Sequence, residues 1–215
     1  ASGAITGGNT VVDQTGPHGR ASPPLRKYPE VPLTSNAGVG GYLASASSYT
    51  AAEAWGAFDN SVTTTWTSGY AFTGSPLTGD EYLQLQLPVA IKVVKMYIEA
   101  FSSINYQLAP RDTELLGSND GTTWVSLNTS TDLPLESVGA STWVHVNATH
   151  YYKYLRLRIT KIYDGDTNYA RVADLQYWGY EETSDPDTSV DTTITSQFNL
   201  PDTTGVKLYI DGDKG

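Results

Sequence analysis

Aromatic rings occupy three polar stretches of this chain, interleaved in two of them with amide and guanidinium donors. Ser68–Asp80 carries Tyr70 and Phe72, and Phe101–Arg111 carries Asn105, Tyr106 and Arg111. Ile162–Arg171 carries Tyr163, Asp164, Asp166, Asn168, Tyr169 and Arg171. An aromatic face stacks on the apolar side of a polyhydroxylated ring, while Asn, Asp and Arg take its hydroxyls in pairs. The candidate ligand-binding residues are therefore Tyr70, Phe72, Asn105, Tyr106, Arg111, Tyr163, Asn168, Tyr169 and Arg171. The competing reading for any one of them is a solvated loop residue.

Catalytic chemistry finds no such support. His18, His145 and His150 are the only histidines, and none has a Ser or carboxylate partner at an interpretable spacing. No G-x-S-x-G, H-E-x-x-H or phosphate-binding glycine loop occurs. The paired acids Asp164 and Asp166 flank Gly165 and read as a polar turn rather than a glycosidase pair. The chain is expected not to be an enzyme.

Composition narrows the partners. The 215 residues carry a formal charge of -10, which opposes binding to nucleic acid, since phosphate contacts need a basic surface. No apolar run approaches the roughly 20 residues of a membrane span, so no membrane insertion is expected. The N-terminus has no charged region followed by an apolar one, so no signal peptide is visible, as in any mature or excised fragment. There is no Cys, so neither a disulfide nor a thiolate ligand is possible.

The elements that must hold the candidate residues are strands. Tyr, Thr and Gly are abundant, with 15 Tyr and 20 Gly. Tyr42–Ser47 reads as a first strand, and Ala51–Phe58 as a short helical turn with Trp55 and Phe58 on one side. Glu81–Leu87 alternates at period two, with Leu83, Leu85 and Leu87 facing one way. Val89–Ala100 is a β-branched run, read as a separate strand after Pro88. Thr113–Leu116 and Thr123–Leu127 flank a turn around Asp120-Gly121, where glycine accepts positive φ. Trp66 and Trp124 are expected to fill the core. Thr142–Asn147, Lys153–Thr160 and Val172–Trp178 complete the strands, with Arg156 and Arg158 outward. Short strands at this spacing predict an antiparallel sandwich. Residues 1–31, dense in Pro and Gly, read as an extended arm or linker. Residues 182–215, rich in Asp and Thr, read as a tail, linker or start of a further module with β potential.

Four segments resemble the discoidin family, the coagulation-factor five-eight type C domains and their carbohydrate-binding relatives. They are LASASS (Leu43–Ser48), AFDNSVTTTW (Ala57–Trp66), PRDTELLGSNDGTTWVSL (Pro110–Leu127) and YLRLRIT with VADLQYWG (Tyr154–Thr160, Val172–Gly179). They stand in the family's order. The resemblance spans about residues 32–181 and implies an all-β, jelly-roll-like sandwich of the galactose-binding-domain-like class. It also implies a structural calcium ion beside the Asp59 loop. By position, Asp59 and Asp174 would give carboxylates, Thr64 its hydroxyl, and Gly56, Ser61 and Ala173 backbone carbonyls. Calcium takes six to eight oxygen ligands, and this set suits it. Asn60 replaces the family's turn glycine and Asp174 its usual Glu. The alternative is that Asp59 and Asp174 only cap the loop through backbone N–H groups.

The resemblance implies a non-catalytic module that attaches a larger assembly to a cell-surface or matrix glycan, placing it outside the cell or on a virion surface. No His occurs in the three loops, so the galactose-type constellation is incomplete. The flanking composition is similar in style to bacteriophage tail-fibre and other virion proteins, which implies neighbouring fibre domains and a homotrimer as partners. The alternative from a different class is a structural spacer or decoration that contacts only neighbouring virion proteins.

Overall fold

The computed structural model describes residues 23–50, 53–69, 81–101, 106–163 and 169–182. The chain divides into a unit Ala1–Thr183 and a second, Ser184–Gly215; every described residue belongs to the first. Strands in chain order are β1 (Arg26–Tyr28), β2 (Leu43–Ala46), β3 (Trp66–Thr67), β4 (Glu81–Glu99) and β5 (Pro110–Ser118). They continue with β6 (Val125–Ser130), β7 (Ser141–His145), β8 (Tyr152–Ile162), β9 (Arg171–Val172) and β10 (Asp174–Glu181).

Among the described residues all strand pairings are antiparallel, and the larger sheet is organised by β4. Its first half pairs with β2 on one side and β8 on the other. Its second half pairs instead with β10 and β7. One strand thus runs through both layers of the sandwich: β2, β4, β8, β5 and β6 in one, β1, β10, β4 and β7 in the other. The handover falls at Pro88, where the register with β8 slips between Gln86 and Ile91. Proline cannot donate to a ladder, so a bulge is where a strand tolerates it. Pro88 therefore bends a continuous strand and does not separate two, as its sequence suggested.

The side-chain alternation expected for this strand is present. Leu83, Leu85 and Leu87 are buried, then Ile91 and Val93 in the same phase, then Met96 and Ile98, the phase shifting only where the register with β10 slips between Val93 and Lys95. They join Leu155, Leu157 and Ile159 of β8, Leu115 of β5 and Tyr177 of β10 in a single core. Burying a Leu or Ile contributes about 1.5–3 kcal/mol. The 3-10 turn Ala54–Ala57 places Phe58 in this core and packs half-buried Trp55 against it.

Two sequence expectations change. Trp66 is fully buried, but Trp124 is only half-buried and stacks on Arg156, its ring centroid 3.9 Å from the guanidinium carbon. The strand after the turn begins at Val125, and its own apolar residue is exposed, so this edge turns its large ring outward. Further, β1 lies within residues 1–31: its Tyr28 is fully buried and pairs with Tyr177.

Candidate functional site

The chain reaches its site through Trp66. The indole donates from Nε1 to the Ser48 carbonyl at 2.9 Å, which fixes the start of β3. Two residues then pair with β9, Trp66 opposite Val172 and Thr67 opposite Arg171. Beyond them, Ser68 N–H donates to the Ala170 carbonyl at 2.9 Å, and Ser68 Oγ accepts the Ala170 N–H at 3.0 Å. Ser68 is fully buried. Two of the three candidate loops are thereby rooted side by side.

Arg171 stands at this junction. Its Nε donates to Thr67 Oγ1 at 3.1 Å, and its guanidinium carbon lies 5.2 Å from the Phe101 ring centroid. Phe101 is the first residue of the remaining candidate loop, so all three loops meet through described residues at one end of the sandwich. Among the described residues Arg171 has no carboxylate partner. Burial alone pulls its pKa down, though a guanidinium stays charged. Tyr169, two residues earlier, is 40% exposed. A planar donor set and an exposed phenol ring two residues apart are the groups that can grip a hydroxylated ligand.

Other candidates are engaged differently. Arg111 Nε donates to Asp112 Oδ1 at 3.3 Å and lies 3.6 Å from Asp132 Oδ1. Asp112 also meets Lys161 Nζ at 3.2 Å and the Asp132 N–H at 3.1 Å. Burial pushes the Asp112 carboxyl up, but these donors outweigh it and leave its pKa below the ordinary value. The Tyr163 hydroxyl donates to the Leu133 carbonyl and stands 3.2 Å from Glu136 Oε2. Its ring packs against the core. Tyr106 opens the 3-10 turn Tyr106–Leu108. Tyr70, Phe72, Asn105 and Asn168 lie outside the described residues.

Asp59 and Asp174 form an acidic corner next to β9. Asp174 follows Ala173 directly after β9, opens β10 opposite Glu99, and is 4% exposed. Gln176 Nε2 donates to its Oδ2 at 2.6 Å, while its buried Oδ1 has no hydrogen-bond partner. Burial, then Glu99 and Asp59, push the carboxyl above its ordinary range, partly countered by Gln176 and Lys27. Burial also raises Asp59, against hydrogen bonds from Thr64 and Ser61. Its Oδ1 accepts the Ser61 N–H at 3.0 Å, so the capping alternative describes Asp59 but not Asp174. Asn60 takes φ 57, the left-handed conformation that its replacement of glycine demands. Its Oδ1 accepts from Lys27 Nζ at 3.0 Å and Gln176 Nε2 at 3.1 Å.

An unpartnered carboxylate oxygen in a buried place costs free energy unless something meets it. A cation fits that oxygen. Among the described residues no three His, Asp or Glu side chains gather in ligating geometry. An ion here would therefore rely on the Thr64 hydroxyl and on carbonyls as well.

Sequence reasoning named Arg171 and Tyr169 but not Phe101 or Thr67, which hold the guanidinium. Phe101 offered a signal, as an aromatic at the first position of a candidate loop. Thr67 offered none, since its role depends on a two-residue pairing distant in sequence.

No family model matches the chain, and no curated protein matches it. Solved structures do. Among them is a CBM32 module from a family 31 glycoside hydrolase of Clostridium perfringens, 18% identical at a TM-score of 0.52, covering 62% of this chain and 87% of that one. A second CBM32 module, also from a family 31 glycoside hydrolase of Clostridium perfringens, is 12% identical at a TM-score of 0.52, covering 65% and 94%. A third, from a family 89 enzyme of Clostridium perfringens, is in complex with GalNAc-β-1,3-galactose; it is 19% identical at a TM-score of 0.51, covering 63% and 94%. The described sandwich has the antiparallel, galactose-binding-like fold of these carbohydrate-binding modules.

Proposed function

We propose that this chain is a non-catalytic glycan-recognition module, working outside the cell, whose ligand sits where β3 meets β9. The observation that carries the reading is Arg171: a half-buried guanidinium with no described carboxylate partner, held by Thr67 and Phe101, with exposed Tyr169 two residues before it in the chain. The shared fold with modules that include a GalNAc-β-1,3-galactose complex supports it. Galactose- and N-acetylgalactosamine-terminated glycans are accordingly the first probes. The Pro-rich lead and Thr/Asp-rich tail suit a module set in a larger assembly such as a virion fibre, where weak sites gain avidity by linkage.

A structural calcium ion belongs to the same reading. Asp59 and Asp174 would hold it with Thr64 and the carbonyls of Gly56, Ser61 and Ala173. When bound it supplies a charge clamp that ties the Asp59 loop to the start of β10. Asp174 lies three residues past Arg171, so the clamp would also steady β9.

A glycan array probed with the multivalent chain in calcium-containing buffer tests the proposal. A cluster of hits sharing one terminal sugar, lost with Arg171→Ala, is the expected result. A blank array from folded protein would overturn it in favour of a spacer between neighbouring proteins.

A further inference from the structure

Strand β1 brings an ammonium to the acidic corner. Lys27 lies opposite Trp178 of β10, and Tyr28 opposite Tyr177. Opposite residues of an antiparallel pair share a face, as do residues two apart on one strand. Tyr28, Leu175 and Tyr177 are buried in the core, so Lys27 stands on the outer face with Trp178, Gln176 and Asp174. From there its Nζ donates to Asn60 Oδ1 at 3.0 Å. Gln176 Nε2 bridges that oxygen, at 3.1 Å, to Asp174 Oδ2, at 2.6 Å. Lys27, Asn60, Gln176 and Asp174 line one small hollow.

Opposite charges share this hollow without touching. Among the described residues Lys27 forms no salt bridge, and its ammonium rests on a neutral amide oxygen. Asp174 keeps Oδ1 buried and without a hydrogen-bond partner. The ammonium still acts on that carboxylate from a distance, favouring its ionised form. A cation arriving at Oδ1 would meet the same ammonium, and a divalent ion is repelled twice as strongly as a monovalent one. What retains Lys27 is Asn60, which stands where the discoidin family has its turn glycine. Glycine has no side-chain oxygen to hold an ammonium. The lysine stem is flexible, so the charge can swing away from a bound ion at a cost.

We propose that Lys27 is a built-in competitor for calcium at the Asp174 corner. In the ion-free chain its ammonium, retained by Asn60, supplies the positive charge that faces the carboxylate, and calcium binds by displacing it. The inference rests on the calcium reading above and goes beyond it, naming the residue that sets the ion's affinity. It also makes β1, inside the region that reads as an arm, a working part of the corner.

Isothermal titration of the full chain with calcium chloride, after chelation and buffer exchange, tests this on wild type, Lys27→Met and Lys27→Arg. Lys27→Met keeps the stem and removes the charge, so it should bind calcium about tenfold tighter. Lys27→Arg keeps the charge and should bind as wild type. Melting gives a second readout. In chelator Lys27→Met should melt below wild type, because Asp174 loses its compensating charge; in saturating calcium that deficit should vanish or reverse. Equal or weaker calcium binding by Lys27→Met, or tightening by Lys27→Arg as large as by Lys27→Met, would overturn the inference and leave the calcium reading standing. No binding by any of the three, with melting identical in calcium and chelator, would overturn both.

Discussion

Arg111 with Tyr163 and Arg171 with Tyr169 are the same pair of residue types in two regions of one sandwich, and their surroundings use them oppositely. Arg111 lies between the carboxylates of Asp112 and Asp132, and the Tyr163 hydroxyl is taken by the Leu133 carbonyl and Glu136. That region is internally satisfied. Arg171 has a threonine hydroxyl and an aromatic face but no described carboxylate, and Tyr169 is exposed. A few residues on, Asp174 leaves a buried oxygen unpartnered. The difference teaches that residue type nominates ligand groups, whereas the charge already beside them decides which remain available.

The largest way to sharpen this contrast is calcium. If the Asp174 corner takes the ion, saturation at 100 times the dissociation constant stabilises the native state by about 2.7 kcal/mol. For a domain of this size that raises the melting midpoint by about 5–10 °C. Calorimetry with calcium and with chelator reads it directly, and an identical midpoint would remove the ion. Next comes Arg171→Lys, which keeps the charge and loses the planar fork. Glycan affinity should fall about tenfold with the melting curve unmoved. Tyr163→Phe should do the reverse, lowering stability by about 1 kcal/mol and leaving affinity alone; a change in affinity would erase the contrast.

The smallest effect is a pH slope. Burial, with Glu99 and Asp59 nearby, raises the Asp174 carboxyl above 3.8, so the ion-free native state binds its proton more tightly than the unfolded chain does. The stability from this group is then present at low pH and declines as pH rises from about 4 through the raised value. Asp174→Asn should remove that decline, measured as the difference between the two proteins in chelator. With calcium bound the carboxylate is held ionised, and the sign reverses: stability is lost as pH falls.

Much of the fold was legible because the strands alternate. Leu155, Leu157 and Ile159 are buried and Arg156 and Arg158 face outward, as period two requires. Gly121 takes φ +74 at the expected turn, and the Asp120 carboxylate caps it by accepting the Thr122 and Thr123 N–H groups at 2.7 Å each. Trp124 was not legible. Ring size argues for burial, yet a guanidinium from β8 offers a stacking partner that no local pattern reveals. Pro88 misled for a related reason: a bulge is a property of the partner strand as much as of the proline. At the site, Arg171 and Arg111 looked alike because Asp132 and Thr67, which distinguish them, lie far away in sequence.

The most direct measurement is glycan affinity for Arg171→Ala beside Arg111→Ala, using the leading glycan from an array and checking both folds by melting. Arg171→Ala is expected to lose about 10- to 150-fold in affinity, the worth of a charged hydrogen bond, while Arg111→Ala binds as wild type and melts lower. Equal affinities for the two variants, or a loss confined to Arg111→Ala, would contradict a ligand site at Arg171.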